Sequence, residues 1–314
     1  SKFEIVGPGS MEALDRAFAC RVPRSDGQVV YGPMLTAKGG IATCMTIVRM
    51  AADRFILIGP GEYETRDFDD LWRRLPSDGS VHATNVSGHF ALLVVTGARA
   101  RDAIGACAKA DLYSGFNIDT FAEGAAHSVA LGFAPTTVIR QDMSGLGDYF
   151  VLVSMDFARA AYASLQSAGA SLGMSNLGVR AWDALLLERG RGAIGLDIDR
   201  TLTPEEAGLL PLVARDKAEF FGKKAMAQRT ARKRIVQVTV DTATVDPYRN
   251  DLVSLDNQPV GLVRTGGHGH IGNKGLGFVA VPVATPSDGA QFSVEIFGEK
   301  YKATTRPKRD LAAE

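Results

Sequence analysis

The chain has 314 residues, with 35 Lys+Arg set against 35 Asp+Glu and hydrophobic residues at 46%. It is too long for one small core and suits two or three domains, and its zero formal charge lacks the basic excess with which nucleic-acid binders neutralise phosphates. Charged residues at 22% argue against disorder, and no apolar run approaches the ~20 residues of a membrane helix.

Residues 1–6 show none of the basic start, apolar run and small-residue cleavage site of a signal peptide. Cys20, Cys44 and Cys107 form neither a CxxC pair nor a metal pattern, so the expectation is reduced, mostly buried thiols in a cytoplasmic compartment. Residues 3–6 alternate as a strand, and Gly7-Pro8-Gly9-Ser10 is a turn with Ser10 as helix N-cap. Residues 11–19 carry apolar residues at helical spacing, so the start reads as βαβ-like. A hairpin follows, with strands 31–35 and 41–50 about Thr36-Ala37-Lys38-Gly39-Gly40, then strand 54–58 running into Gly59-Pro60-Gly61. Helix 65–75 is expected to carry Phe68, Leu71 and Trp72 on one side. Residues 81–95 are strand-rich and 98–108 helical. Strands 128–132, 135–140 and 149–154, with helices 156–168 and 178–190, make a second α+β stretch. Arg229-Thr230-Ala231-Arg232-Lys233-Arg234 is a basic joint. Beyond it the pattern turns all-β (235–241, 251–255, 261–265, 275–281, 291–296 and 300–304), as in a small barrel or sandwich. The tail 306–314 reads as solvated.

Gly7-Pro8-Gly9 precedes a helix but lacks GxGxxG spacing and an acidic ribose partner, which argues against a dinucleotide site. The loop 266–275 is expected to join two strands, offering no helix N-terminus for phosphate. Its His268 and His270 face one way only if it is extended. The five histidines show no metal-ligand spacing, and no GxSxG elbow or Cys/His pairing is present. The segment from Ala181 to Gly190 is an apolar helix with Glu188 just before a glycine stop, on the face that carries Leu185. A carboxylate on an apolar face needs a partner. Two kinds suit it: a ligand edge with adjacent N–H donors, such as a pterin or guanine, or the guanidinium of Arg180 or Arg189.

Four blocks, in order along nearly the whole chain, resemble the glycine-cleavage T-protein (aminomethyltransferase) superfamily. They look most like the tetrahydrofolate-binding C-terminal region of dimethylglycine and sarcosine dehydrogenases. The first is Phe3-Glu4-Ile5-Val6-Gly7-Pro8-Gly9; the second is Tyr31-Gly32-Pro33-Met34-Leu35-Thr36-Ala37-Lys38-Gly39-Gly40-Ile41 through Arg54-Phe55. The third joins Leu187-Glu188-Arg189-Gly190, Thr203-Pro204-Glu205-Glu206-Ala207-Gly208-Leu209 and Phe220-Phe221-Gly222-Lys223-Lys224-Ala225. The fourth runs from Pro259 to Gly267 and from Gly277 to Pro282.

The resemblance implies an α+β fold: a three-domain cloverleaf of two mixed α/β lobes and a C-terminal β-barrel or sandwich around a central channel. The domains would be 1–30 plus 120–230 (the folate-binding lobe), 31–119 and 231–314. It implies tetrahydrofolate as cofactor, with Glu188 on the pterin ring, Tyr149, Tyr63 and Arg264 as further cofactor contacts, and no metal. In Asn85-Val86-Ser87-Gly88-His89 the family's catalytic Asp position is Gly88, which carries neither charge nor proton. His89, a residue type that titrates near neutrality, is then the candidate acid/base, and Asn85 a candidate orienting group. The acids flanking the family's tyrosine are Leu146 and Phe150 here, and the arginine of its R-L-E is Leu186. The family's N-terminal segment and an FAD-binding GxGxxG domain do not appear, so a fragment of a larger oxidase or a stand-alone subunit is expected. The implied function is transfer of a methyl or methylene group from a small methylated donor, within a demethylating system. Its partner would be a flavoprotein dehydrogenase, with no nucleic acid and no membrane. Two alternatives are a flavin-independent, folate-dependent O- or S-demethylase and a folate-binding module without catalysis.

Overall fold

The computed structural model describes residues 1–108, 111, 114–286 and 289–306. The tail expected to be solvated lies, past Arg306, outside them. Two compact units form: Ser1–Met34, Thr43–Asn176 and Ala214–Phe221 make the first, and Leu35–Ala42, Leu177–Val213 and Gly222–Glu314 the second.

In the first unit β1 (Lys2–Val6), α1 (Ser10–Ala17), β2 (Val29–Leu35), β3 (Ile41–Ala51), β4 (Arg54–Ile58), α2 (Glu64–Trp72) and β5 (His82–Asn85) come first. Their strands form one sheet in the order β2-β3-β4-β1-β5. The βαβ-like start is therefore corrected: β1 pairs antiparallel with β4 and β5 and never touches β2. Helical spacing in 11–19 reports a buried helix face, and says nothing about which strand the chain returns to. Along β3 and β4 nearly every residue is buried, which is why they read as unbroken apolar runs.

The next elements are β6 (Phe90–Val95), α3 (Ala100–Ala108), β7 (Ala125–Leu131), β8 (Ala134–Arg140), β9 (Tyr149–Ser154) and α4 (Met155–Gly169). They give a second sheet, β6-β9-β8-β7. The two sheets share a core in which Val48, Ile56 and Ile58 meet Ile139, Phe150 and Leu152. The far face of the second sheet is covered through Ile104 and Cys107 of α3 and Leu165 of α4. On α2, Leu71 is buried and Phe68 meets Phe3 with ring centroids 5.2 Å apart, but Trp72 is 63% exposed. The three share one side of the helix, as expected, with Trp72 at its solvent edge. The buried stripe runs through Asp67 and Leu71, and Trp72, about 100° further round, ends the helix outside it.

In the second unit α5 (Val179–Glu188) and α6 (Lys223–Gln228) accompany β10 (Lys233–Val240), β11 (Leu252–Leu255), β12 (Gln258–Gly269), β13 (Lys274–Pro282), β14 (Gln291–Ile296) and β15 (Glu299–Thr305). The strands close as a barrel, β10-β13-β12-β11-β14-β15, with β10 pairing β15. Alternate residues such as Val236, Val238, Val240, Val279, Val281 and Val294 fill its interior, the period-two pattern of a half-buried strand. On the outside, Leu187 of α5 packs against Leu276, Phe278 and Ile235. Before the barrel, Thr203 and Glu206 form a reciprocal capping box: Thr203 N–H donates to Glu206 Oε2 (2.9 Å) and Glu206 N–H to Thr203 Oγ1 (3.1 Å). The loop expected over 266–275 is shorter than the sequence suggests. Strand pairing continues to Gly269 opposite Lys274, so only 270–273 form the turn. The glycines there extend a ladder instead of breaking it.

Candidate functional site

Glu188 is the last residue of α5, and local chemistry fixes it there. Gly190 adopts a φ of 71°, a conformation glycine reaches without steric cost. Arg191 N–H then donates to the Leu186 carbonyl (2.9 Å) and Gly190 N–H to that of Leu187 (3.1 Å), the Schellman closure of a helix. The barrel holds this turn at three points. Gln237 Nε2 of β10 donates to the Leu187 carbonyl. Arg306, just past β15, donates to the Glu188 carbonyl (3.3 Å). The Ile271 N–H, in the β12–β13 turn, donates to Glu188 Oε1 (3.0 Å).

Neither guanidinium suggested by the sequence takes this carboxylate. Among the described residues Glu188 has no ion pair, and Arg189 Nε is buried with no hydrogen-bond partner. A carboxylate offers about four acceptor sites, and Ile271 occupies one. The half-buried side chain thus keeps the capacity to accept two adjacent N–H donors. The donor edge of a pterin fits that requirement.

Arg264 of β12 is engaged by the protein itself. Its Nε–H donates to the Asp197 carbonyl (2.9 Å) and its guanidinium pairs with the Asp199 carboxylate. Burial alone would raise the Asp199 carboxyl, but hydrogen bonds from Arg264 and Thr201 outweigh it and hold the group at about 2. Asp197 is the opposite case: burial pushes its carboxyl up to about 6, only partly countered by the Ala193 N–H. Arg264 also lines a cavity of about 360 Å³ together with Arg232, Lys233 and Arg249. Near the turn, His268 and His270 stand edge to face with centroids 5.1 Å apart. The His268 ring lies between Asp246 Oδ1 (3.3 Å) and Asn273 Oδ1 (3.2 Å).

The other four sequence-derived residues belong to the first unit. Asn85 Nδ2 donates to Glu64 Oε1 (2.8 Å), and the hydrogen bonds from Asn85 and Ser87 hold the Glu64 carboxyl below the usual range. Tyr63, next to Glu64, is covered by the Arg66 guanidinium 3.9 Å from its ring centroid. Tyr63 and Asn85 are thus brought to one patch. His89 is exposed on the turn between β5 and β6, where its carbonyl accepts the Met155 N–H (2.9 Å). Tyr149 is 2% exposed and stacks on Phe121 at 6.4 Å, and burial raises its hydroxyl pKa; its ring serves the lobe's core.

Residues 1–217 match the model of the GCVT N-terminal domain, and 233–309 that of the glycine cleavage T-protein C-terminal barrel domain. The chain belongs to the glycine cleavage T-protein family. Mitochondrial dimethylglycine dehydrogenase of Homo sapiens is 30% identical over 307 residues, covering 96% of this chain and 35% of that protein. An aminomethyltransferase of Halothermothrix orenii is 27% identical over 307 residues, covering 95% of this chain and 84% of that protein. The crystal structure of glycine cleavage system aminomethyltransferase T from Bartonella henselae matches with a TM-score of 0.83 at 23% identity, over 97% of this chain and 82% of that one. That likeness shows the T-protein fold, with the mixed α/β body and closed C-terminal barrel expected from the sequence. The chain spans about a third of the length of the dimethylglycine dehydrogenases it matches.

Sequence reasoning missed Ile271, Gln237 and Arg306, which position Glu188, and Asp197 and Asp199, which engage Arg264. Ile271 acts through a backbone N–H, for which no residue type is a signal. Asp197 and Asp199 stand two apart beside a glycine-rich stretch, a pattern that reads as an ordinary loop.

Proposed function

We propose that the chain is a tetrahydrofolate-dependent one-carbon transferase. It moves a methyl or methylene group from a small methylated donor, as a domain or subunit of a demethylating system whose partner is a flavoprotein dehydrogenase. The observation that carries this is Glu188: a half-buried carboxylate at a clamped helix end, paired with no cation among the described residues and able to accept adjacent N–H donors. Family membership and the likeness to dimethylglycine dehydrogenases support the reaction class and the kind of donor.

Tetrahydrofolate, when bound, supplies a ring nitrogen as the one-carbon acceptor. Glu188 accepts the N–H donors of the pterin edge and sets the ring's orientation, so that reacting atoms meet in place of a bimolecular encounter. Tyr63 and Arg264 add cofactor contacts in this reading, and Tyr149, buried in the lobe's core, braces the lobe instead. His89, exposed on its turn, moves the proton that the absent family Asp would handle, and Asn85 orients the acceptor. Gly88 favours one second reading, a folate-binding module without turnover.

Calorimetric titration with folinic acid, followed by incubation with tetrahydrofolate and a methylated amine and mass spectrometry of the folate, tests the proposal. The methylene form, produced only with a flavoprotein present, supports it. The 5-methyl form without flavin marks a demethylase, binding without turnover marks the module, and no binding overturns both folate readings.

A further inference from the structure

We infer that the β12–β13 turn is a positioning element for the ligand of Glu188, acting through the backbone N–H of Ile271; the inference rests on the reading of Glu188 given above. The Ile271 side chain is 85% exposed while its N–H lies 3.0 Å from Glu188 Oε1. An apolar side chain turned to solvent does no packing, so what this residue contributes is its amide. The turn around it is braced. Asn273 sits in the left-handed region at φ 47°, and the His268 ring bridges Asp246 and Asn273.

A half-buried glutamate is otherwise free about its last torsion, which has no sharp wells. Ordering that carboxylate would be charged to ligand binding. One N–H on Oε1 sets its plane beforehand and leaves Oε2 and a second lone pair of Oε1 open. The turn and the ligand therefore use different acceptor sites of one carboxylate, and do not compete.

The test separates side chain from amide. Ile271→Ala keeps the N–H and should bind folinic acid within about twofold of the wild type, whereas Ile271→Pro deletes it and should weaken binding about five- to twentyfold. Asn273→Ala, which releases the brace, should shift affinity the same way and serves if the proline variant does not fold. In a Glu188→Gln background the proline effect should shrink to about twofold or less, because the positioned group is gone. Without ligand, amide exchange at Ile271 should be slow for so exposed a turn, and faster in Glu188→Ala, which removes the acceptor. Binding by Ile271→Pro as tight as or tighter than wild type, a proline effect undiminished in the Glu188→Gln background, or unprotected Ile271 exchange overturns the inference while leaving the folate reading intact. A wild type that takes no folinic acid overturns the folate reading, and this one with it.

Discussion

Replacing Asp197 by asparagine should remove a pH dependence from the stability of the second unit. Asp197 is 2% exposed; its Oδ1 accepts the Ala193 N–H at 2.8 Å, and Oδ2 has no hydrogen-bond partner among the described residues. Burial pushes the carboxyl from 3.8 up to about 6. Between those values the folded chain keeps a proton that the unfolded chain has already released, so stability falls as pH rises. The contribution is complete below pH ~4 and lost as pH passes ~6. At about 1.4 kcal/mol per pH unit the loss comes to about 2–3 kcal/mol at neutral pH. Asparagine keeps an acceptor for Ala193 and cannot ionise. Urea unfolding of Asp197→Asn and wild type, compared between about pH 4 and 8, should show the difference moving in the variant's favour by that amount as pH rises. Two stability profiles that stay parallel across the range would refute the reasoning.

Arg264→Met should free Asp199, whose carboxyl is held at about 2 by Arg264 and Thr201 against the upward push of burial. That stabilisation is present above pH ~4 and lost as pH falls towards ~2; the variant should be less stable than wild type at pH 7 and converge with it at low pH, which acid titration followed by circular dichroism checks. Gly88→Asp should fold normally, because a Cβ built there meets nothing within 4 Å. If the lost acid limits catalysis, one-carbon transfer by the variant should rise about tenfold or more in a folate product assay, and an unchanged rate would point away from that role.

The parts of the fold legible beforehand were those with a local cause. Val236, Val238 and Val240 alternate because one face of β10 fills the barrel. Glu188-Arg189-Gly190 announced a helix end because only a residue tolerant of positive φ closes it cheaply. What stayed hidden depends on distant partners. The pairing of β1 with β4 and β5 is chosen by contacts 48 to 82 residues away, and residues 11–19 carry no trace of it. Which edge of the shared side of α2 is covered was hidden too: Leu71 is buried and Trp72 is exposed. At the candidate site the acidic residue was visible and its environment was not: the group that meets Glu188 is an amide 83 residues along the chain.

The most direct measurement is a calorimetric titration of folinic acid into the wild-type chain and into Glu188→Gln. The substitution keeps the side chain's size but removes the charge and puts an N–H₂ where a donor edge needs an acceptor. Loss of the charge-assisted bonds should weaken binding by about 1.5–3 kcal/mol, roughly 10- to 150-fold in Kd, with little change in melting temperature because the residue is half-buried at a helix end. Equal dissociation constants for the two chains would contradict the assignment of Glu188 to the pterin edge.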